Sequence, residues 1–315
     1  MTPLTTLYDA DKADNADNAA VTAAPAPPLA VPQASGSPIA NARMYSATPS
    51  VKADWTQLLA WVLDHADLPW PVIDYDAPAP LAALWARDDL GLAMMCGLPF
   101  AQQSQGADPL QGPRALTLIA APLPSPARYK GKPVYCTDIV VRTDAPYRTL
   151  QDTFGGVVGY TLADSMSGGV ALCHHLEPFR TAERPRLYRA AVGNLIHARG
   201  VIEALIAGRI DVGPLDSYYH DLLRRHEPGF AAQVRTVAST AALPIPPLVA
   251  TAVLSGDTVK RLRAALVATA AAAELKPVLQ RLLLTGFAFP DPADYRPLAA
   301  MSANAAVAAT PFEEL

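Results

Sequence analysis

The sequence is most informative first in what it lacks. Charged residues are only 17% of the 315, and 25 Lys+Arg against 29 Asp+Glu leave a formal net charge of −4. No basic cluster or aromatic-basic platform is present, which argues against nucleic acid as a partner. There are three cysteines, Cys96, Cys136 and Cys173, with no CxxC spacing. That excludes a disulfide framework and a cysteine-based zinc site, and the apolar surroundings of all three predict buried thiols. No apolar run reaches the length of a membrane span. The longest Ala/Val/Leu-rich stretch, near Leu266 to Ala273, is broken by Thr269 and reads as helix, so the chain is expected not to span a membrane. No basic segment followed by an apolar core opens the chain. No GxSxG elbow, HExxH, P-loop or Ser–His–acid order occurs, so no catalytic residue, metal site or cofactor is expected.

What is present is apolar residue, 51% of the total, enough for a sizeable core. Residues 1–41 are rich in Ala, Pro, Asp and Ser without periodicity and read as a disordered tail. The fold is expected to begin with a short strand at Ala42–Ser46. Trp55, Leu58, Leu59, Val62 and Leu63 fall on one helical stripe, predicting a helix from Lys52 to His65. A short helix follows over about 80–88. Leu90–Cys96 and Ala115–Ala121 are apolar on both faces, as strands of a parallel sheet are, with Gly97-Leu98-Pro99 as a turn between them. Val134–Val141 is a longer strand. A second strand–helix alternation runs through strands near 157–161, 187–191, 210–215 and 234–238. Its helices lie near 168–177, 199–207, closed by Gly208, and 217–226. After Pro244-Ile245-Pro246-Pro247, a strand at Leu248–Leu254 leads to a helix capped by Asp257, then to a last helix from Pro277 ended by Gly286. Signals beyond Pro297 are weak. The class is therefore α/β with a largely parallel sheet, in two lobes with an interlobe cleft. The expected division is 42–143 with 239–298 for one lobe and 144–238 for the other, leaving 299–315 as a weakly structured tail.

The stretch Asp164-Ser165-Met166-Ser167-Gly168-Gly169 stands between a strand and a helix. Unpaired N–H groups and the dipole of a helix N-terminus favour an anion, and Ser165 and Ser167 add hydroxyls. An N-cap turn uses the same residue types, so both readings stand. Tyr45, Gly97 and Asp216 also sit at predicted strand ends, Asp216 being equally suited to capping the helix it precedes. His197 lies in a loop that reaches the cleft or the surface. His174 and His175 are adjacent on a helix and read as structural. Asp211, at the far end of its strand, reads as structural too.

Several segments in order resemble the phosphate/phosphite/phosphonate-type substrate-binding proteins of ABC transporters, which have the type II periplasmic-binding-protein fold. They are Met44-Tyr45 before the Trp-containing helix, Cys96-Gly97-Leu98-Pro99, and Gly131-Lys132-Pro133-Val134-Tyr135 leading into Asp138–Arg142. Ser165-Met166-Ser167-Gly168, Ala207–Asp216 and Pro244–Pro247 complete the set. The resemblance implies a hinged receptor for a small oxyanion-bearing, phosphonate- or phosphate-like ligand. It implies an anion cradle at Ser165, Met166, Ser167 and the N–H of Gly168. Tyr45 and Gly97 would be contacts from the first lobe, and Asp216 and His197 from the second. An ABC transporter permease is the implied partner, and a periplasmic setting the implied location, whereas the missing leader leads one to expect a cytoplasmic protein. An alternative on the same fold is a cytosolic enzyme related to thiamine-pyrimidine-precursor synthases, or a ligand-sensing module. Met166 and the small Gly169-Val170 imply a pocket altered from the usual phosphonate one.

Overall fold

The computed structural model describes residues 36–76, 79–104 and 116–307. In chain order it runs β1 (Ile39–Asn41), α1 (Pro49–His65), α2 (Leu81–Trp85), β2 (Leu90–Met94), α3 (Gly97–Ser104), β3 (Thr117–Pro124), β4 (Val134–Tyr135) and β5 (Thr137–Arg142). Then come β6 (Val157–Gly159), a π-helical turn (Met166–Val170) running into α4 (Ala171–Leu176), β7 (Ala190–Val192), α5 (Ala198–Ile206), β8 (Gly213–Asp216), α6 (Ser217–His226), α7 (Pro228–Ala231) and β9 (Val234–Ser239). The last elements are β10 (Leu243–Pro244), β11 (Leu248–Ala250), α8 (Gly256–Ala268), α9 (Lys276–Arg281), β12 (Leu284–Ala288) and α10 (Arg296–Val307).

Helix α1 forms because its apolar residues repeat at helical spacing and its start is capped. Thr48 Oγ1 accepts the Val51 N–H at 3.2 Å, and Pro49 fills the first position, where no N–H partner is needed. Val51, Trp55, Leu58, Leu59, Val62 and Leu63 are all buried. Each is worth about 1.5–3 kcal/mol when fully removed from water. In α5 the predicted Gly208 follows the helix at φ +67°, the left-handed conformation that glycine adopts without a Cβ clash.

The first lobe carries a five-stranded sheet in the order β1-β2-β11-β3-β12. Only β1–β2 is parallel there; β11 and β12 run antiparallel to their neighbours. The second lobe carries β8-β5-β9, all antiparallel, and the parallel pair β6–β7. The largely parallel sheet expected from doubly apolar strands is thus corrected to a mixed one. Burial on both faces reports the helices above and below a strand, not the direction of its neighbour. β5 pairs within the second sheet although the expected lobe division places it before residue 143. The antiparallel ribbon β4–β10 lies just outside it at the crossing.

Other expectations are corrected locally. Among the described residues the first element is β1, before Ala42, and 43–45 is a 3-10 turn, not a strand. Residues 1–35 of the expected tail lie outside the described residues. Gly97-Leu98-Pro99 opens α3 instead of forming a turn, since a helix tolerates proline in its first turn. Ser255, not Asp257, caps α8 by accepting the Thr258 N–H at 3.1 Å. Gly286 sits at a register shift in β12 with φ +147° and caps nothing. Cys136 is half-buried, unlike Cys96 and Cys173. The weak tail proves helical through Val307, entered from a capping box at Asp291; residues 308–315 lie outside the described residues.

Where the lobes join, Asp138 on β5 is fully buried. Arg128 Nη1 donates to its two oxygens at 3.1 and 3.0 Å, Ser239 Oγ donates at 2.9 Å, and His220 Nδ1 lies 2.9 Å away. Burial opposes its charge, but the His220 bond and the Arg128 guanidinium outweigh burial and hold the carboxyl down at about 2. Replacing Asp138 by Ala strands these partners. It is expected to cost about 3–5 kcal/mol in urea unfolding. A loss well under 1 kcal/mol would show that the cluster holds little.

Candidate functional site

The site is assembled from three short pieces of chain that the fold brings together. From the first lobe comes Tyr45, at the end of the 3-10 turn Arg43–Tyr45 and 1% exposed. From the second comes Asp216, the last residue of β8. Its Oδ2 accepts the Tyr45 hydroxyl at 3.0 Å, a bond between residues 171 apart in sequence. Its Oδ1 accepts the Tyr218 and Tyr219 N–H groups at 2.9 and 3.0 Å. The cap expected as one alternative on sequence grounds is therefore present on Oδ1, while Oδ2 makes a cross-lobe contact that the sequence did not suggest. The Tyr45 ring meets Tyr218 edge-on at 4.8 Å.

The third piece is the π-helical turn. Ser165 caps it, its Oγ accepting the Gly168 N–H at 3.2 Å. The Ser165 carbonyl accepts the Gly169 and Val170 N–H groups at 2.9 and 3.0 Å. Gly168 is needed for close packing, because a Cβ there would stand 1.7 Å from Thr161 Oγ1. Met166 is wholly buried and packs with Cys96, Val170, Tyr295 and Leu298, so its side chain is part of the core. The Ser167 carbonyl accepts the Thr137 hydroxyl at 2.9 Å, and its side chain is near enough to the buried Tyr135 to offset part of the rise that burial gives that phenol's pKa. Tyr135 lies within electrostatic range of both Cys96 and Asp216.

Tyr45 and Asp216 are thus bonded to each other, and Tyr135 stands near Asp216, Cys96 and Ser167, so these residues form one buried polar cluster. Tyr135 closes one of the segments that resemble the family, but nothing in the sequence marked it as a site residue; a buried phenol does need a polar partner. Cys96 receives N–H groups from Leu98 and Met166, at the starts of α3 and the π-helical turn, yet burial prevails and pushes its thiol up to about 11. Gly97 is packed under Tyr295 and Leu298, with no room for a Cβ. His197 caps α5, its Nδ1 accepting the Gly200 N–H at 3.1 Å. It makes no hydrogen bond to the cluster, but burial and then the Arg199 and Arg43 charges lower its pKa, which sets it near the Tyr45 turn. Ser165 acts on its own turn.

Burial, reinforced by the charge of Asp138, raises the Asp216 carboxyl to about 7, against the two N–H bonds and the Tyr45 bond that lower it. Burial and Asp216 together push the Tyr45 phenol well up, so it stays a donor. The folded Asp216 holds its proton more tightly than the unfolded chain, where a carboxyl titrates at about 3.9. Its stabilising contribution is thus fully present below about pH 4 and is lost as pH rises toward about 7. Melting curves between pH 5 and 8 should show the Asp216→Asn variant losing less stability with rising pH than the wild type. Parallel profiles would contradict the assignment.

A family model described as ABC transporter, phosphonate, periplasmic substrate-binding protein matches residues 44–295. No curated protein matches the chain in sequence. Among solved structures, a binding-protein component of an ABC phosphonate transporter from Pseudomonas aeruginosa, PA3383, aligns with TM-score 0.69 at 17% identity. The alignment covers 87% of this chain and 89% of that one. PhnD1 from Prochlorococcus marinus, solved in complex with methylphosphonate, aligns with TM-score 0.66 at 16% identity over 85% and 97%. XAC2383 from Xanthomonas citri, solved bound to ATP, aligns with TM-score 0.59 at 20% identity over 86% and 98%. At these identities the structural likeness is one of fold.

Proposed function

Since the chain belongs to the family of phosphonate ABC transporter periplasmic substrate-binding proteins, and is thus a solute-binding protein and not an enzyme, we propose that its ligand carries a phosphonate-like oxyanion and lies between Tyr45, Ser167 and Asp216. The observation that carries this reading is the Tyr45–Asp216 bond, which joins the two lobes beside the Ser167–Tyr135 pair. A ligand entering there would meet the Ser167 and Tyr135 hydroxyls and the positive end of the π-helical turn's dipole, and would draw the Tyr45 hydroxyl from Asp216; the Gly168, Gly169 and Val170 N–H groups are already taken by Ser165. Asp216, with a carboxyl near neutrality, offers either a proton donor or an acceptor to the ligand's hydroxyl.

In this reading Ser165 and Gly168 shape the cradle, Gly97 and Met166 form its apolar backing, and His197 stands at its edge. The two lobes cross near Cys136 and Thr240 and close on the ligand by a hinge. An ABC transporter permease is the partner that the family implies, and among the described residues no helix is long and apolar enough to cross a membrane. Methylphosphonate, the ligand of PhnD1 in its solved structure, is the first compound to try.

A thermal-shift panel of methylphosphonate, inorganic phosphate, ATP and acetate checks the ligand class. A true ligand at about 100 times its dissociation constant stabilises by about 2.7 kcal/mol, a clear rise in melting temperature. Methylphosphonate is expected to shift the wild type, and Ser167→Ala to bind it at least about tenfold more weakly, the loss of one charge-assisted hydrogen bond, with little change in unliganded stability. A panel in which no phosphorus oxyanion shifts the protein would refute the reading.

A further inference from the structure

We propose that Arg128 is a positioning residue for Asp216: reaching from the first lobe, it holds the first turn of α6 and so fixes where the Asp216 carboxylate stands in the cleft. The proposal rests on Asp216 bordering the ligand.

Arg128 belongs to the 3-10 turn Ala127–Tyr129 that follows β3. The turn ends on Lys130 at φ +56° and Gly131 at φ +66°, which reverses the chain and aims the guanidinium at the second lobe. There it is shared among three acceptors on two elements. Nη1 donates to Asp138 on β5 at 3.0 and 3.1 Å. Nε donates to Asp221 Oδ2 on α6 at 3.0 Å, and Nη2 donates to the Ser217 carbonyl. Ser217 is the residue directly after Asp216, and Asp221 is one turn further on. The same turn is held by Tyr129, whose hydroxyl donates to Asp221 at 2.7 Å and lies 3.2 Å from Ser217 Oγ, and by the Cys136 N–H on Ser217 Oγ at 3.0 Å.

The geometry matters because the cap is only as well placed as the helix it caps. Asp216 Oδ1 receives its two N–H groups from Tyr218 and Tyr219. If the first turn of α6 shifts, those donors shift, and the carboxylate turns with them away from Tyr45. The turn also gathers the carboxylates of Asp138, Asp216 and Asp221. Arg128 lies directly between Asp138 and Asp221, and Arg224 assists at 3.3 Å from Asp221. A lysine would keep the charge but not a planar fork able to serve Asp138, Asp221 and a carbonyl together.

A double-mutant cycle separates positioning from bulk stability, because residues acting through one another are non-additive. Methylphosphonate affinity and unliganded melting temperature are measured for the wild type, Arg128→Lys, Asp216→Asn and the double variant. Arg128→Lys is expected to weaken binding about tenfold when Asp216 is present and less than about twofold when it is Asn, since coupled sites lose their interaction only once. The fall in melting temperature should be the same in both backgrounds. Equal weakening in both backgrounds, or none in either, overturns the proposal. Wild-type affinity in both Asp216→Asn and Tyr45→Phe would instead overturn the site reading on which it rests. Should Arg128→Lys not fold, Asp221→Asn removes the α6 acceptor and carries the same cycle.

Discussion

One carboxylate does two structural tasks, and much of the molecule is arranged around letting it do so. Asp216 caps α6 with one oxygen and holds Tyr45 of the opposite lobe with the other. A buried carboxylate is costly to keep ionised, and this one is held near neutrality in spite of three hydrogen bonds. The lobes are thus joined, at the N-terminal end of α6, by a group whose charge is finely balanced. Such a group responds to whatever is brought beside it.

Around this contact the lobes are held on two sides of different character. Along α6 directional polar ties add to an apolar contact, in which Tyr218, Leu222 and Leu223 lie in one core with Tyr45 and α1. The Tyr218 hydroxyl donates to the Leu282 carbonyl at 2.5 Å, and His226 Nε2 lies 2.8 Å from the Arg281 carbonyl. Across the cleft the ties are apolar. Met166, Val170 and Ala171 of the second lobe are packed among Met95, Cys96, Leu98, Tyr295 and Leu298 of the first. The polar side fixes geometry through directional bonds, while the apolar side is non-directional and lets surfaces slide or part. Met166 therefore stands at the start of a helix near the polar cluster, yet turns into the core.

The sequence made legible those features that depend on local patterning. The α1 stripe, Gly208 after α5, and the placing of Ser165 and Asp216 as caps follow from periodicity and cap chemistry, whereas Tyr45 was placed by a strand that proved to be a 3-10 turn. The two-lobed receptor fold followed from a family resemblance carried by short segments in order. What stayed hidden depended on partners distant in the chain. Strand direction was misread because β2 and β3 are apolar on both faces in either kind of sheet. Gly97 and Gly286 read as a turn and a cap because glycine is also used for close packing against Tyr295 and for a bulge. Helix α10 was missed because its Ala-rich run has helix propensity but no stripe, and it is fixed by tertiary contacts such as buried Leu298. Arg128 lies in no motif, and Tyr135 and Asp138, although they fall in segments that resemble the family, gave no sign of a role. Their roles arise only when 128, 138 and 217–221 meet at the crossing between lobes.

The central claim is that a phosphonate-like oxyanion is held where Tyr45, Ser167 and Asp216 converge. A crystal structure of the protein grown with methylphosphonate tests it most directly. The account predicts phosphonate density between the lobes, with an oxygen within hydrogen-bonding distance of Ser167 and another facing Tyr45 or Asp216. Phosphonate density elsewhere on the molecule, or a cleft left with the Tyr45–Asp216 bond intact and no ligand beside it at saturating concentration, would contradict it.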